Sequence, residues 1–284
     1  QNSVTTTGTC FTISADNVTL DGAGYNVDGD EGGSDYGVLA LTRTNISVKN
    51  TNFTDFGAGI AFTTVSSSLI ENNSFGSNLD AIVLNTLSGV RVINNTISSN
   101  TRYGVDLNAA SSSIIEGGTI SNSGQDAIRL LNGVSDNNNL TNVVITNTNT
   151  SYYDILWSTA AVDNTWLIDM SQVLNYSFAG LGGTLVVKSS SWGEVSFLSA
   201  VNGSGTNLTR DVNIKNNSVT VRSDLNSGLN KSANVTLYGT PGVGLNNPEI
   251  QKDGISCGGT CYNFTSLTAS TVVFNVSYWT NYSI

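Results

Sequence analysis

The sequence predicts an all-β chain, with a right-handed parallel β-helix over residues 1–160 followed by an immunoglobulin-like β-sandwich over residues 161–284. Three observations support this prediction. Similar stretches recur about every 22 residues as far as Trp157, apolar residues alternate within each stretch, and the period then disappears while short alternating segments continue. Because a fixed period of this length is typical of stacked coils, we expect about six to seven coils.

Each repeat carries three apolar positions in a fixed order. The first column is Val38, Ile60, Ile82, Val105, Ile128 and Ile155, with spacings of 22, 22, 23, 23 and 27 residues. The second column is Val48, Ile70, Val92, Ile115 and Leu140, and the third is Phe53, Phe75, Ile97, Ile120 and Ile145. We expect each column to line the interior, because a repeat of this kind buries its apolar face only against its neighbours.

The pattern inside a repeat favours strands over helices. In Ile82-Val83-Leu84 the first and third side chains fall on one face and the second on the other. The segments are rich in β-branched residues and end at Gly, Asn or Ser, and none offers a capped helical stripe. Consecutive coils are therefore expected to lie ~4.8 Å apart, which is the strand spacing of a sheet.

Stacking the repeats predicts which side chains are neighbours. The outward positions beside the first column are Leu39, Ala61, Val83, Asp106, Arg129 and Leu156. Asp106 with Arg129, and Lys49 with Glu71, should form opposite-charge pairs between coils. A further column is Asn50, Asn72 and Asn94, which we expect to form a buried amide ladder.

Two motifs resemble a known family. They are Val-Thr-Leu-Asp-Gly-Ala-Gly-Tyr-Asn-Val-Asp-Gly at residues 18–29 and the repeated Asn-Asn-(Ser/Thr)-(Phe/Ile) at residues 72–75 and 94–97. The chain resembles the NosD-like, pectate-lyase-type repeats of right-handed β-helix proteins over about residues 10–160. The resemblance implies the fold. It leaves the function open, because the family spans sugar lyases, hydrolases, copper-site accessory proteins and surface adhesins.

Composition excludes several classes of function. The 284 residues include no His, 11 Lys and Arg, and 21 Asp and Glu, for a net charge of −10. Such a charge disfavours nucleic acids and anionic membranes as partners, and no apolar run reaches the ~18 residues of a membrane span. The chain begins at Gln1, which we interpret as a processed terminus of an exported protein; trimming for another reason is the alternative.

The three cysteines have different predicted roles. Cys257 and Cys261 enclose Gly-Gly-Thr, a spacing that favours a small disulfide loop formed in an oxidising compartment. A metal site at this pair is disfavoured because no His or further Cys completes it. Cys10 is expected to be a buried free thiol, with a disulfide between subunits as the alternative.

The second half predicts six strands, at residues 184–189, 193–201, 211–215, 219–222, 233–239 and 271–278, with a hairpin turn at Asn216-Asn217. Residues 229–238, the cysteine pair and the ending at residues 274–284 resemble C-terminal modules of archaeal cell-surface β-helix proteins. That resemblance supports an extracellular or cell-surface location.

Glycosylation sequons concentrate in the second half. Nine of its 15 Asn begin Asn-x-Ser/Thr, against seven of 22 in residues 1–160. We therefore predict N-linked glycans at Asn175, Asn202, Asn207, Asn216, Asn230, Asn234, Asn263, Asn275 and Asn281. The sequons at Asn72 and Asn94 are interpreted as incidental, since the predicted ladder would bury them.

Without His, catalysis would have to use carboxylates. Asp80 and Asp126 hold equivalent positions two coils apart, ~10 Å by strand spacing, with Tyr103 between them and Arg102 adjacent. The alternative reading is turn chemistry, with each carboxylate bonding nearby backbone N–H groups. No catalytic residue and no cofactor is predicted, although the acidic loop over residues 28–35 (Asp28, Asp30, Glu31 and Asp35) has oxygen ligands suited to Ca²⁺.

These observations predict an exported structural glycoprotein of the cell surface or extracellular space that assembles head to tail into a filament. The ends of a β-helix expose strand edges, and residues 1–9 could pair with the next subunit, or whole coils could stack. Two alternatives remain: a carbohydrate-active hydrolase or lyase, and a carbohydrate-binding adhesin.

Overall fold

The computed structural model describes residues 2–31, 33–131, 137–157, 165–178, 184–239 and 246–284. The strands of the coiled region follow in chain order: β1 Val4–Thr5, β2 Phe11–Ile13, β3 Thr19–Asp21, β4 Asn26–Asp28, β5 Tyr36–Leu41, β6 Ser47–Lys49, β7 Asn52–Thr54, β8 Ala58–Thr63, β9 Leu69–Glu71, β10 Ser74–Gly76, β11 Asp80–Ser88, β12 Arg91–Ile93, β13 Thr96–Ser98, β14 Val105–Ser111, β15 Ile114–Glu116, β16 Thr119–Ser121, β17 Ile128–Leu131, β18 Asn139–Thr141, β19 Val144–Thr146, β20 Ile155–Trp157 and β21 Thr165–Ile168.

These strands form a right-handed parallel β-helix of about seven turns with three sheets. Sheet A contains β1-β4-β7-β10-β13-β16-β19, sheet B begins β2-β5-β8-β11-β14-β17-β20, and sheet C begins β3-β6-β9-β12-β15-β18-β21. Every third strand thus enters the same sheet, so one coil contributes one strand to each. This confirms the predicted β-helix.

Each predicted apolar column lies inside one sheet. Val38 pairs with Ile60 in sheet B, Val48 with Ile70 in sheet C, and Phe53 with Phe75 in sheet A, and the columns continue in register through the later coils. All members of the three columns are buried. The stack of identical positions therefore builds one continuous core, as the period predicted.

The small residue before the first column has a packing reason. A Cβ on Gly59 would lie 2.5 Å from Cδ1 of Phe75, and a Cβ on Gly37 would lie 2.5 Å from Cδ1 of Phe53. Where the third column carries Ile97, the corresponding position is Ala81, which is fully buried. Side-chain volume at the two positions is thus compensated in these three coils.

The corners of the coils correct one prediction. Asn72 and Asn94 have φ of 54° and 51°, in the left-handed region that Asn tolerates, and their side chains are exposed. The buried ladder is formed by the next residue, where Asn73 Nδ2 donates to Asn95 Oδ1 at 3.1 Å. The predicted Asn50, Asn72 and Asn94 ladder is therefore wrong by one position, and the sequons at Asn72 and Asn94 are on the surface.

The remaining elements are β22 Tyr176–Ser177, β23 Leu185–Ser189, β24 Gly193–Phe197, β25 Ser204–Gly205, α1 Leu208–Asp211, β26 Val212–Lys215, β27 Ser218–Val221, β28 Ala233–Tyr238, β29 Gln251–Lys252, β30 Ile255–Ser256, β31 Tyr262–Asn263, β32 Thr271–Val276 and β33 Asn281–Ser283. Turns of 3₁₀ helix lie at Ser227–Leu229 and Gly258–Thr260. Sheet B ends with β22-β25, and sheet C continues through β23-β24-β28-β32-β31 to twelve strands. Sheet D has the order β26-β27-β33-β29-β30.

Parallel pairing crosses the predicted boundary at residue 160, because β23 pairs with β21 in parallel. Antiparallel pairing in sheet C begins only at β24. Sheet D is antiparallel and packs against sheet C, with the rings of Phe274 on β32 and Tyr282 on β33 6.3 Å apart. Asn216 and Asn217 form the two-residue turn between β26 and β27, as predicted. The chain is thus all-β, with the antiparallel part continuous with the coil.

Candidate functional site

The carboxylates singled out in the sequence lie in a group of side chains on sheet B. We call it the Tyr103 cluster, and its members are Asp80, Arg102, Tyr103, Asp106, Asp126 and Arg129. Asp80 and Asp126 are both buried. Arg102 Nε donates to Asp80 Oδ1 at 2.9 Å and its Nη2 bonds the other oxygen, so both oxygens of Asp80 are occupied.

Arg129 ties two consecutive coils of the cluster together. Its Nε and Nη2 donate to Asp106 at 3.1 and 2.7 Å, and its Nη1 donates to the Tyr103 hydroxyl at 2.6 Å. Its guanidinium carbon lies 3.6 Å from the centroid of the Tyr103 ring, a cation–π arrangement. Burial raises the pKa of Tyr103, and the two guanidinium groups partly offset this effect.

Asp126 has a different environment. Its Oδ1 accepts the backbone N–H of Tyr153 from the next coil at 2.9 Å. Burial raises its pKa, and the Tyr153 N–H and Arg129 offset part of that rise. Asp80 likewise accepts the N–H of Tyr103 at 3.3 Å, and Asp35 accepts the N–H of Gly57 at 3.0 Å.

The hydrogen bonds of the cluster therefore support the alternative interpretation of these carboxylates, in which they bond nearby backbone groups. Each acidic side chain bonds a backbone N–H or a guanidinium group of the following coil, which fixes the register of the stack. A two-carboxylate glycosidase needs one carboxylic acid and one carboxylate that can reach a sugar. In this cluster, Asp80 and Asp106 are both fully engaged with Arg102 and Arg129.

The two predicted charge pairs have different outcomes. Asp106 and Arg129 are paired in register and form the predicted ion pair. Lys49 is in register with Glu71, but its Nζ lies 3.5 Å from Asp21 on the other neighbouring coil. The predicted register of Lys49 and Glu71 is confirmed, and the ion pair forms with Asp21 because both coils beside Lys49 carry an acid at this position.

The acidic loop over residues 28–35 includes Gly32, which lies outside the described residues. Asp28 accepts the hydroxyl of Thr54 at 2.6 Å. Burial raises the pKa of Asp55, and the carboxylates of Asp28 and Glu31 raise it further. Across the part of the chain that the structure describes, no three His, Cys, Asp or Glu are placed as a metal site requires. A Ca²⁺ site here stays a prediction.

The cysteines are arranged as two separate features. A disulfide joins Cys257 and Cys261, with Cα atoms 5.8 Å apart, and closes the turn between β30 and β31. Cys10 is a free, half-buried thiol, and burial raises its pKa. The thiol is thus free, as predicted, and less buried than predicted.

The predicted glycosylation sites differ in exposure. Asn216, Asn230 and Asn263 are exposed, and the other six, Asn175, Asn202, Asn207, Asn234, Asn275 and Asn281, are half-buried. Asn234 and Asn275 face each other on β28 and β32, and Asn275 Nδ2 donates to Asn234 Oδ1 at 3.2 Å. Glycans on both of these Asn would start from adjacent side chains.

The second feature of interest is the N-terminal end of the coil, which we call the head rim. It consists of β1, β2 and β3, the terminal strands of sheets A, B and C within the described residues. Phe11 and Leu20 on these strands are only partly buried, although they pack on the core. Residues 2–9 are not a free arm, because β1 pairs with β4 and Thr6 N–H donates to Asp28 O at 2.9 Å.

The head rim presents backbone groups outward. Gly22 N–H donates to Lys49 O, and Val18 O accepts from Ser47 N–H, so these alternate groups of β3 face the second coil. By the alternation of a parallel ladder, the N–H and C=O of Thr19 and Asp21 face away from the molecule. The left-handed corners at Asn72 and Asn94 were not predicted, although the Asn-Asn pairs at residues 72–73 and 94–95 are a signal for them.

The fold defines the class: a three-sheet parallel β-helix with an antiparallel extension. Residues 3–167 match the family described as "Right handed beta helix region", and the chain belongs to that family. No curated protein matches the chain. No helix in the described residues is long and apolar enough to cross a membrane.

One solved structure with a partial likeness is the DFA-IIIase from Arthrobacter chlorophenolicus A6, at 13% identity and a TM-score of 0.36. The match covers 59% of this chain and 38% of that chain. The match therefore spans well under half the length of that enzyme.

Proposed function

We propose that this protein is an exported, non-catalytic structural glycoprotein that assembles head to tail into a filament at the cell surface or in the extracellular space. The observation that carries the proposal is the head rim, where, within the described residues, three sheets end on strands with outward-facing backbone groups. An unpaired strand edge is a template for pairing with another chain. A contact between two different ends of identical subunits repeats without closing and produces a fibre.

Thr19 gives this proposal a sharp test. Its N–H faces away from the molecule, so Thr19→Pro removes an outward donor while the inward hydrogen bonds of Val18 and Gly22 remain. Thr19→Val keeps the N–H and the β-branched shape and serves as the matched control. We expect sedimentation velocity to show polymers for the native chain and Thr19→Val, and monomers for Thr19→Pro. Polymers of unchanged length in Thr19→Pro would exclude pairing at β3.

The non-catalytic part of the proposal is supported by the Tyr103 cluster. The oxygens of Asp80 accept from Arg102 and those of Asp106 accept from Arg129. The alternative is a carbohydrate-active hydrolase or lyase that uses Asp80 and Asp126. Reducing-sugar release from polysaccharides by the native chain, abolished in the Asp80→Ala and Asp126→Ala variants, would establish that alternative.

The adhesin alternative would use aromatic side chains along one face of the coil. The outward positions beside the first column are Leu39, Ala61, Val83, Asp106, Arg129 and Leu156, and none is aromatic. Retention of the protein on an immobilised glycan column would favour this alternative. The contact surfaces that we propose are instead at the two ends of the molecule.

Location and modification belong to the same proposal. The disulfide between Cys257 and Cys261 and the sequons of the second half both suit an exported protein. The two facing sheets of the C-terminal part support the predicted immunoglobulin-like sandwich, whose role would be to cover the last coil. Extraction of the protein with the cell envelope, and its loss from the cytoplasmic fraction, is the expected outcome of fractionation.

A further inference from the structure

A polar groove of about 220 Å³ lies beside β20 and β22 of sheet B. It is lined by the turn before β20, by Asn175, and by β25 with the residue that follows it, and we call it the Asn175 groove. Six of its eight lining residues carry a hydroxyl group and all eight are uncharged. Such a lining suits a neutral ligand that is itself rich in hydroxyl groups, which is the chemistry of a sugar.

The groove contains a sequon. Asn175 begins Asn-Tyr-Ser at residues 175–177, and its half-buried side chain lines the groove. This side chain forms no hydrogen bond with the residues that the structure describes. In the sequon at Asn275, by contrast, Nδ2 donates to Asn234 Oδ1 at 3.2 Å. A sugar attached to Asn175 therefore displaces no hydrogen bond of the fold.

The backbone on both sides of Asn175 is fixed. Its carbonyl oxygen accepts the N–H of Asp154 at 2.7 Å. The next residue, Tyr176, is fully buried and pairs with Ile155 in parallel. Because the side chain starts from a rigid backbone and lines the groove, a ring joined directly to its Nδ2 begins within the groove.

Two aromatic side chains line the same groove. The rings of Tyr152 and Tyr153 are half-buried, and neither phenol hydroxyl bonds another residue in the described part of the chain. The backbone of Tyr153 is held by the preceding coil, since its N–H donates to Asp126 Oδ1 and its carbonyl accepts the N–H of Ala127, both at 2.9 Å. An aromatic ring with a polar tip offers an apolar face to the C–H groups of a sugar and a hydroxyl to its oxygens.

We infer that the Asn175 groove holds the first sugar of an N-linked glycan on Asn175, packed against Tyr152. The inference rests on the proposed function, because it requires a glycoprotein. It gives this glycan a structural role at the point where sheet B changes from parallel pairing, at β20 and β22, to antiparallel pairing, at β22 and β25. The volume of about 220 Å³ is below the ~300–1,000 Å³ of sites for drug-sized ligands, so it suits a single sugar ring.

The burial of Ser177 fixes when the sugar is attached. Ser177 is the third residue of the sequon, and its buried hydroxyl accepts from the Ser204 hydroxyl at 2.9 Å. The sequon hydroxyl has to be accessible during transfer, so attachment precedes the pairing of β22 with its neighbours. The sugar is then present when the groove forms around it.

The test is a double-mutant cycle on the full-length chain in two forms, one made in the native host and one made in a host without N-glycosylation. The variants are Asn175→Gln, Tyr152→Ala and their combination. The matched control is Asn216→Gln, which removes a sequon at the exposed hairpin turn. Glycopeptide mass spectrometry gives the occupancy of Asn175, and thermal melting gives the stability of each variant.

We expect Asn175 to be occupied in the native host. Asn175→Gln and Tyr152→Ala should each lower the melting temperature by about 2 °C more in the glycosylated form than in the unglycosylated form. The double variant should lose no more than either single variant in that comparison, whereas Asn216→Gln should behave alike in both forms. Thr206→Trp, which fills the groove from an exposed position, gives a second route to the same result if Tyr152→Ala fails to fold.

The outcomes separate the inference from the proposed function. If Asn175 is occupied and Tyr152→Ala lowers the melting temperature equally in both forms, the sugar does not pack in the groove and the inference is overturned, while the glycoprotein stands. If other sequons are occupied and Asn175 is not, the inference is again overturned. If no sequon of the native material carries a glycan, the glycoprotein part of the proposed function and the inference both fail.

Discussion

The side-chain amide of Asn78 donates to Oδ1 of Asn100, the residue at the same position one coil further along, at 3.1 Å. Both side chains are buried. Asn78 Nδ2 also donates to Phe53 O at 3.1 Å, and its Oδ1 accepts the N–H of Phe56 at 3.1 Å. One amide thus satisfies backbone groups of the preceding coil and links them to the following coil.

Replacing this amide should destabilise the coil. Asn78→Ala leaves Phe53 O and Phe56 N–H without their partner inside the core, and we expect a loss of about 2–4 kcal/mol, as for buried polar groups left unsatisfied. Urea unfolding measures the change. Asn72→Gly is the matched control, since it keeps the left-handed corner at an exposed site and should shift stability by less than about 0.5 kcal/mol. Equal effects of the two substitutions would contradict the ladder.

Gly59 and Phe75 form a second testable pair. A Cβ at Gly59 would meet the Phe75 ring at 2.5 Å and Ala81 O at 2.8 Å, so Gly59→Ala should cost about 1–3 kcal/mol through overpacking. Adding Phe75→Ile recreates the natural combination of Ala81 with Ile97 and should recover part of the loss in a double-mutant cycle. Strictly additive effects would show that the ring is not the source of the clash.

Asp126 should make stability depend on pH. Burial raises the pKa of its carboxyl above the ordinary value of 3.8, so the fold favours the protonated form. The stabilisation that the protonated carboxyl of Asp126 contributes is fully present below pH 3.8. It is lost as the pH rises through the pKa of this group in the folded state. Asp126→Asn, whose Oδ1 can still accept from Tyr153, should melt higher than the native chain at pH 7 and not at pH 3.

The control for this series is Glu249→Gln, which removes one carboxylate at an exposed site outside the cluster. A native chain that melts higher than Asp126→Asn at pH 7 would mean that the ionised carboxylate stabilises the cluster.

The buried phenol of Tyr282 should limit the stability of the protein at alkaline pH. Burial raises the pKa of its phenol from 10.0 to about 12, and the hydroxyl donates to Tyr278 O at 2.8 Å. Stability is therefore complete below pH 10 and falls as pH approaches 12. Tyr282→Phe should melt lower at pH 8 and lose less between pH 8 and pH 11. A parallel decline in both proteins would assign the loss to other groups.

Glycan attachment should follow exposure. Asn216, Asn230 and Asn263 are exposed, whereas Asn234 and Asn275 bond each other. Intact-mass measurement on native material is expected to exceed the bare polypeptide, and Asn→Gln at each exposed site should remove one glycan. A mass equal to that of the polypeptide alone would refute the prediction.

Much of the coil could be predicted from its period. The 22-residue interval between Val38, Ile60 and Ile82 arises because each occupies the same buried position in sheet B. Equivalent positions in consecutive coils require the same type of residue, so the period is visible in the sequence. The outward pair of Asp106 and Arg129 followed from the same register. The predicted Asn ladder differs from the observed one by one residue. Residues 72 and 73 are both Asn, and the sequence does not indicate which of the two side chains points into the core.

The end of the coil could not be read from the period. β21 and β23 pair in parallel although the 22-residue spacing has ended, since backbone pairing tolerates changes in the length of the connecting segments. The sequence also did not indicate that Ile255 and Tyr262 lie on the last strands of two different sheets, because this follows only from the order of strands in sheets D and C.

Negative-stain electron microscopy of the native protein over a range of concentrations tests the central claim most directly. We expect unbranched fibres one molecule wide, with lengths that grow with concentration. Single short rods at every concentration would contradict the proposed filament.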